Sequence, residues 1–181
     1  QILEAFIEFG FMENTIEIIR NDTKIQDIIY LFEILIRIFL LIQYVQDEKN
    51  EEEVPLTQYL QDQVTNELLL EITNIVLDPK SILSKESTNA LEFGQVSLTQ
   101  LFTTTYDIPI DQYNKIINLG IAAISTLCSD RNDLMEFTYT KICPSIYDSF
   151  ITNGEAESDT IFEIVKLFGV IITYFNYELL I

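Results

Sequence analysis

Apolar residues recur along this chain every three to four positions rather than every two. Leu60, Val64, Leu68, Ile72 and Ile75 form one such row, the spacing of one face of an α-helix. The same period runs through almost the whole sequence. The one Asn-Gly dipeptide, Asn153-Gly154, has helical patterns on both sides, so it does not read as a hairpin turn. The pattern predicts helices over 1–9 and 11–20 with Gly10 between them, then over 23–45 and 57–77, the latter stopped by Asp78-Pro79. Further helices are predicted over 87–102, 111–128 and 133–151. Pro144 should kink or restart the last of these. A final helix should start at Thr160, where Thr160-x-x-Glu163 has the spacing of a capping box.

Several of these helices carry two apolar rows. In 111–128, Tyr113, Ile117, Gly120, Ile121 and Ile124 form one row and Ile116, Leu119, Ala123 and Leu127 another. Asp111, Asn114, Lys115, Asn118 and Ser125 are left as the polar edge. The last helix runs through Phe162, Val165, Gly169, Ile172 and Phe175. One apolar face serves a helix packed on one side. Two faces suit a helix held between neighbours, which stacked helical repeats produce for most of their members. The third helix is apolar enough to raise a membrane span over 25–45. It carries Asp27, Glu33 and Arg37, which are costly at bilayer depth. Glu33 and Arg37 also stand at helical pairing distance. It reads as a buried helix, without membrane insertion.

Two local echoes point toward repeats. Ala5-Phe6-Ile7-Glu8-Phe9-Gly10 is similar to Asn89-Ala90-Leu91-Glu92-Phe93-Gly94, with the glycines 84 positions apart, about twice the ~40–47 residues of a two- or three-helix solenoid repeat. Leu119-Gly120-Ile121 and Phe168-Gly169-Val170 occupy matching mid-helix places. The segment Gly10 to Ile19 resembles the Gly-led opening of an armadillo third helix. Asn118 to Cys128 resembles the long second helix, where small residues admit close helix approach, and Asp130-Arg131-Asn132-Asp133 would be the turn that follows. The chain therefore resembles armadillo/HEAT-type proteins. The resemblance implies an all-α fold, a right-handed α-solenoid of roughly three repeats, with an irregular helical bundle as the alternative. It also implies a protein-binding scaffold with an elongated groove. Armadillo carriers of nuclear localisation signals use Trp and Asn arrays; this chain has no Trp, which puts that mechanism in doubt here.

Charge narrows the partners. Ten Lys and Arg stand against 29 Asp and Glu, a net charge of −19, yet 48% of the 181 residues are apolar. That apolar content excludes an acidic disordered tail. The acidic excess disfavours nucleic acid and anionic lipid, which need clustered cations. There is no His, so the commonest neutral-pH base and the Ser-His-Asp and Cys-His arrangements are missing. Two cysteines cannot make a zinc site by themselves, and the five glycines form no phosphate loop. No cofactor or metal is expected. Cys128 and Cys143 lie in periodic apolar stretches and read as reduced core thiols, hence a reducing, cytoplasmic compartment.

The candidate partner-binding residues are the polar row of the third helix and the acidic loop that follows. The row comprises Asp27, Tyr30, Glu33 and Arg37, with Tyr44 further along. The loop, 47–55, holds Asp47, Glu48, Glu51, Glu52 and Glu53, and Pro55 closes it. Exposed Tyr anchors interfaces, and an acidic loop steers a basic segment toward it. Gln1 opens the chain in place of Met, and Ile181 ends it within an apolar run. We therefore expect 1–181 to be a single helical-repeat segment inside a longer chain. The expected function is a non-catalytic interaction scaffold or adaptor that binds basic or amphipathic protein segments within a larger complex. The alternative is an obligate helical subunit without a peptide groove, for example in a cytoskeletal or ciliary assembly.

Overall fold

In the computed structural model, the described residues are 2–21, 24–47, 54–82, 108–154 and 156–178. Among them every regular element is helical and no strand occurs. The order is α1 (Ile2–Glu8), α2 (Phe11–Asn21), α3 (Ile25–Asp47), α4 (Val54–Asp62), α5 (Asn66–Leu77), α6 (Ile110–Cys128), α7 (a helical rod over 132–152) and α8 (Ser158–Glu178). The predicted helix over 87–102 lies outside the described residues.

Gly10 separates α1 from α2 at φ 58°, the left-handed region that a Cβ disfavours. Phe6 and Phe11 then meet edge-on across the turn, ring centroids 5.1 Å apart.

The predicted helix over 57–77 is two helices. The row Leu60, Val64, Leu68, Ile72 and Ile75 is buried throughout, but the backbone breaks between α4 and α5. Thr65 adopts an extended conformation, and its hydroxyl accepts a hydrogen bond from the Leu68 N–H at 3.2 Å, satisfying one of the free donors of the new helix. Pro55 does not close a loop. It lies in the first turn of α4, where its missing N–H costs nothing. Asp78 ends α5 as expected.

α6 is the central helix. It packs against α3, α5 and α8, and both of its apolar rows are consumed: Ile116, Ile117, Ile121, Ala123, Ile124 and Leu127 are buried. Gly120 makes this possible. A methyl group there would sit inside the van der Waals envelope of Val76 Cγ2 on α5 and 3.3 Å from Phe32 Cε2 on α3. α3 gives one face to this core, through Ile28, Ile29, Phe32, Leu35 and Ile42, all fully buried. Its length and composition would also let it cross a bilayer.

Pro144 neither ends nor restarts α7. The rod alternates α-helical turns, Asn132–Phe137 and Cys143–Ile146, with wider π-helical turns, Thr138–Ile142 and Tyr147–Thr152. The Cys143 N–H donates to Thr138 O, five residues back. Pro144 follows at once and has no N–H to give, so the π-turn relieves the ring of its usual conflict with the preceding turn. Gly154, at φ 70°, terminates the rod.

α8 starts at Ser158, two residues before the predicted cap. Thr160 is no cap: it is buried, and its hydroxyl donates to Asn118 Oδ1 on α6 at 2.7 Å. Glu163 pairs instead with Lys166 at 2.8 Å. The buried row of α8 is Ile164, Leu167 and Ile171. The row Phe162, Val165 and Ile172 faces outward.

Candidate functional site

The outer face of α3 follows from helical phase. Asp27, Tyr30, Glu33, Arg37 and Tyr44 fall on the side opposite Ile28, Phe32, Leu35 and Ile42. Tyr30 is 53% and Tyr44 62% exposed, and Asp27 and Arg37 are exposed as well. Two apolar residues, Ile34 and Leu40, also reach solvent on this side. The row is thus less polar than the sequence indicated: aromatic and aliphatic side chains alternate with single charges.

Glu33 does not pair with Arg37. It is half-buried, and its Oε1 lies 2.9 Å from Lys115 Nζ on α6. Spacing of four made Arg37 the expected partner, but α6 brings a competing cation from 82 positions away. Arg37 makes no ion pair among the described residues. It stands exposed on a ridge that also carries Tyr30 and Tyr44. Asp47 is the last residue of α3, one turn beyond Tyr44. Glu48, Glu51, Glu52 and Glu53 lie outside the described residues.

Protein-family models, curated proteins and solved structures all return no match. The functional reading rests on the residues themselves.

Cys128 and Cys143 are free, buried thiols. Burial pushes the Cys128 thiol up to about 12, against a smaller opposing effect of the Thr138 hydroxyl beside it. Burial likewise raises Cys143 to about 11. Both are protonated at neutral pH and are poor nucleophiles in that form. Among the described residues no three Cys, Asp or Glu side chains gather as a metal site.

A second surface was missed from sequence. On α8, Ile161, Phe162, Val165 and Ile172 are exposed, Phe162 and Val165 each by 60%. Lys166 sits over the Phe162 ring at 4.4 Å. The spacing of Phe162, Val165, Gly169 and Ile172 was visible as a helical row. That the row faces outward depends on where α6 lies.

Proposed function

We propose that this protein is a non-catalytic interaction scaffold, a stack of helix pairs of armadillo/HEAT type that binds basic or amphipathic protein segments in the cytoplasm. The observation that carries the reading is the outer face of α3. Two half-exposed tyrosines, two exposed aliphatics and an exposed arginine with no ion pair among the described residues stand there on a helix whose other face is core. Large, partly apolar side chains held on a rigid element are the usual anchors of a protein interface.

The stacked arrangement is supported by the pattern of packing. α2 lies on α5, α3 on α6, and α6 on α8, while α5 also touches the π-turn Thr138–Ile142 of α7. α5 packs on α6 beside it, and the principal contacts along the stack are α3 on α6 and α6 on α8. Polar links follow the same steps. Arg20 on α2 holds Glu67 and Glu71 on α5, both at 2.7 Å; Lys115 joins α6 to α3; Thr160 joins α8 to α6. Nearest-neighbour packing is the signature of a solenoid.

The test is a titration of the full chain with a fluorescent, lysine-rich amphipathic peptide at low and high salt. Affinity should fall as salt rises, because an acidic surface attracts a basic partner over about a Debye length. Tyr30→Ala and Tyr44→Ala should each weaken binding by roughly five- to thirtyfold, the effect of losing an interface anchor worth ~1–2 kcal/mol. Affinity indifferent to salt and to both tyrosines would overturn the proposal.

A further inference from the structure

Between α7 and α8 runs an apolar groove of about 610 Å³, within the ~300–1,000 Å³ range typical of binding clefts. Tyr139, Cys143 and Tyr147 form one wall and Phe168 and Ile172 the other. An adjoining groove of about 310 Å³ shares Tyr139 and continues past Phe175 to Glu136. Tyr139 and Phe175 meet edge-on at 4.8 Å where the two grooves join. The combined trough is mostly apolar, with Thr140 lining both grooves, and bears a carboxylate at each end, Glu136 at one and Asp148 at the other. At ~1.5 Å rise per residue these ends are about 18 Å apart, the length of a three-turn helix. Both carboxylates are exposed and unpaired among the described residues. Lys141 does not line the trough, and Lys166 is engaged by Glu163.

We infer that this trough binds an amphipathic helix of about three turns from a protein partner, with an apolar row along its middle and a basic residue near each end. The inference deepens the scaffold reading and rests on it, but places a site on the opposite end of the stack from α3. The charge pattern selects the ends of the occupant: an acidic or neutral helix would leave Glu136 and Asp148 facing nothing or facing like charge. The form of the occupant follows from its backbone. An extended peptide gains affinity by adding to a sheet edge, and among the described residues there is no strand. A helix satisfies its own backbone groups and can lay side chains at i, i+3, i+4 and i+7 into an apolar trough. Ile161, Val165, Phe168 and Ile172 extend the apolar wall along α8 at the same spacing. The π-turns contribute by widening the rod where Tyr139 and Tyr147 stand.

The probe is a helix-favouring peptide of about three turns with a leucine row and paired lysines at each end; a second peptide carries glutamates at the ends. The full chain should bind the lysine-ended peptide at least about tenfold more tightly at low salt. Ile172→Ser should weaken binding by about tenfold, and Glu136→Gln with Asp148→Asn by about fivefold, chiefly by removing the salt dependence. These side chains are exposed, so the unfolding midpoint should hold; far-UV circular dichroism and urea melts check this. Three results overturn the inference. Binding lost in Tyr30→Ala/Tyr44→Ala but kept in the groove variants would place the partner on α3 and leave the scaffold reading standing. Self-association abolished by Ile172→Ser would make a second copy the occupant. No binding of either peptide by the wild-type chain would remove this site and the scaffold reading together.

Discussion

Gly120 sets the distance between the three helices at the centre of the molecule, and replacing it with alanine measures that distance. In an exposed helix the change should stabilise by ~1 kcal/mol, because glycine is the poorer helix former. At Gly120 the added methyl meets Val76 Cγ2 well inside contact distance, with Phe32 Cε2 at 3.3 Å and Ile72 Cγ2 at 3.7 Å. Val76 is fully buried and β-branched, so it holds one strongly preferred rotamer in a helix. It cannot swing aside, and α5 or α6 must move instead. Overpacking of this kind costs ~1–3 kcal/mol. The expected net effect of Gly120→Ala is a loss of about 1–2 kcal/mol, or roughly 0.5–1 M in urea midpoint at a slope near 2 kcal/mol/M. Gly169 is the control. It lies in α8 with nothing within 4 Å of a built methyl, so Gly169→Ala should stabilise by about 0.5–1 kcal/mol. In a Val76→Ala background the obstructing methyl is gone, and Gly120→Ala should then be neutral or stabilising. The cycle should show coupling of about 2 kcal/mol. A stabilising Gly120→Ala in the wild-type chain would refute the close approach of α6 to α5.

Three further outcomes follow from named contacts. The raised thiols make stability fall in alkali. Both favour the neutral form when folded, so their contribution is complete below pH ~9 and declines as pH rises toward 11 for Cys143 and 12 for Cys128. The loss is about 1.4 kcal/mol per thiol for each pH unit, and urea melts should show a shallower decline in Cys128→Ala/Cys143→Ala. Arg131 grips both Asp133 carboxylate oxygens, at 2.9 and 2.8 Å, and donates to the Gln61 carbonyl at 2.6 Å. Arg131→Ala should cost about 1.5–3 kcal/mol in chemical unfolding, with Arg131→Lys recovering only part, because lysine lacks the fork. Thr160→Val should cost about 1–2 kcal/mol by stranding the Asn118 oxygen, whereas Thr160→Ser, which keeps the hydroxyl, should cost less.

The helix content and several boundaries were legible because their causes are local. Gly10, Asp78-Pro79 and Asn153-Gly154 each stop a helix through the backbone of the residues named. The two-sided burial of α6 was legible too, since both apolar rows are written within one helix. Non-local choices were not. The row Leu60, Val64, Leu68 stays in helical phase across the break before α5, so periodicity alone could not reveal it. Thr160 fits a cap by spacing but faces Asn118, a partner set by tertiary packing. α8 has two apolar rows, and only the position of α6 decides that Leu167 goes inward and Val165 outward. At the candidate site, exposure of Tyr30, Arg37 and Tyr44 followed from phase, whereas Lys115 as the partner of Glu33 did not. The trough along α7 and α8 was hidden for the same reason: the π-turns around Pro144 and the choice of face on α8 appear only when the two helices are placed together.

Placement of the scarce cations gives the net charge of −19 a structural meaning. With ten basic residues against 29 acidic ones, few cations can be spared for idle surface. Arg20 is shared by Glu67 and Glu71 across α2 and α5, Lys115 crosses from α6 to Glu33 on α3, and Arg131 ties the start of α7 to the end of α4. Each of these joins elements that neighbour one another in the fold. The exposed pairs of Arg20 and Lys115 are individually modest, worth at most ~1 kcal/mol, while the more buried Arg131 contributes more, but together they take up three of the ten cations. What they leave behind is a surface on which carboxylates such as Glu136 and Asp148 have no ion-pair partner among the described residues. Exposed carboxylates of this kind can be neutralised by mobile ions or by a basic partner. On the proposed reading a basic segment and the salt compete for the same carboxylates, so salt dependence, more than affinity itself, is the measurement that tests it.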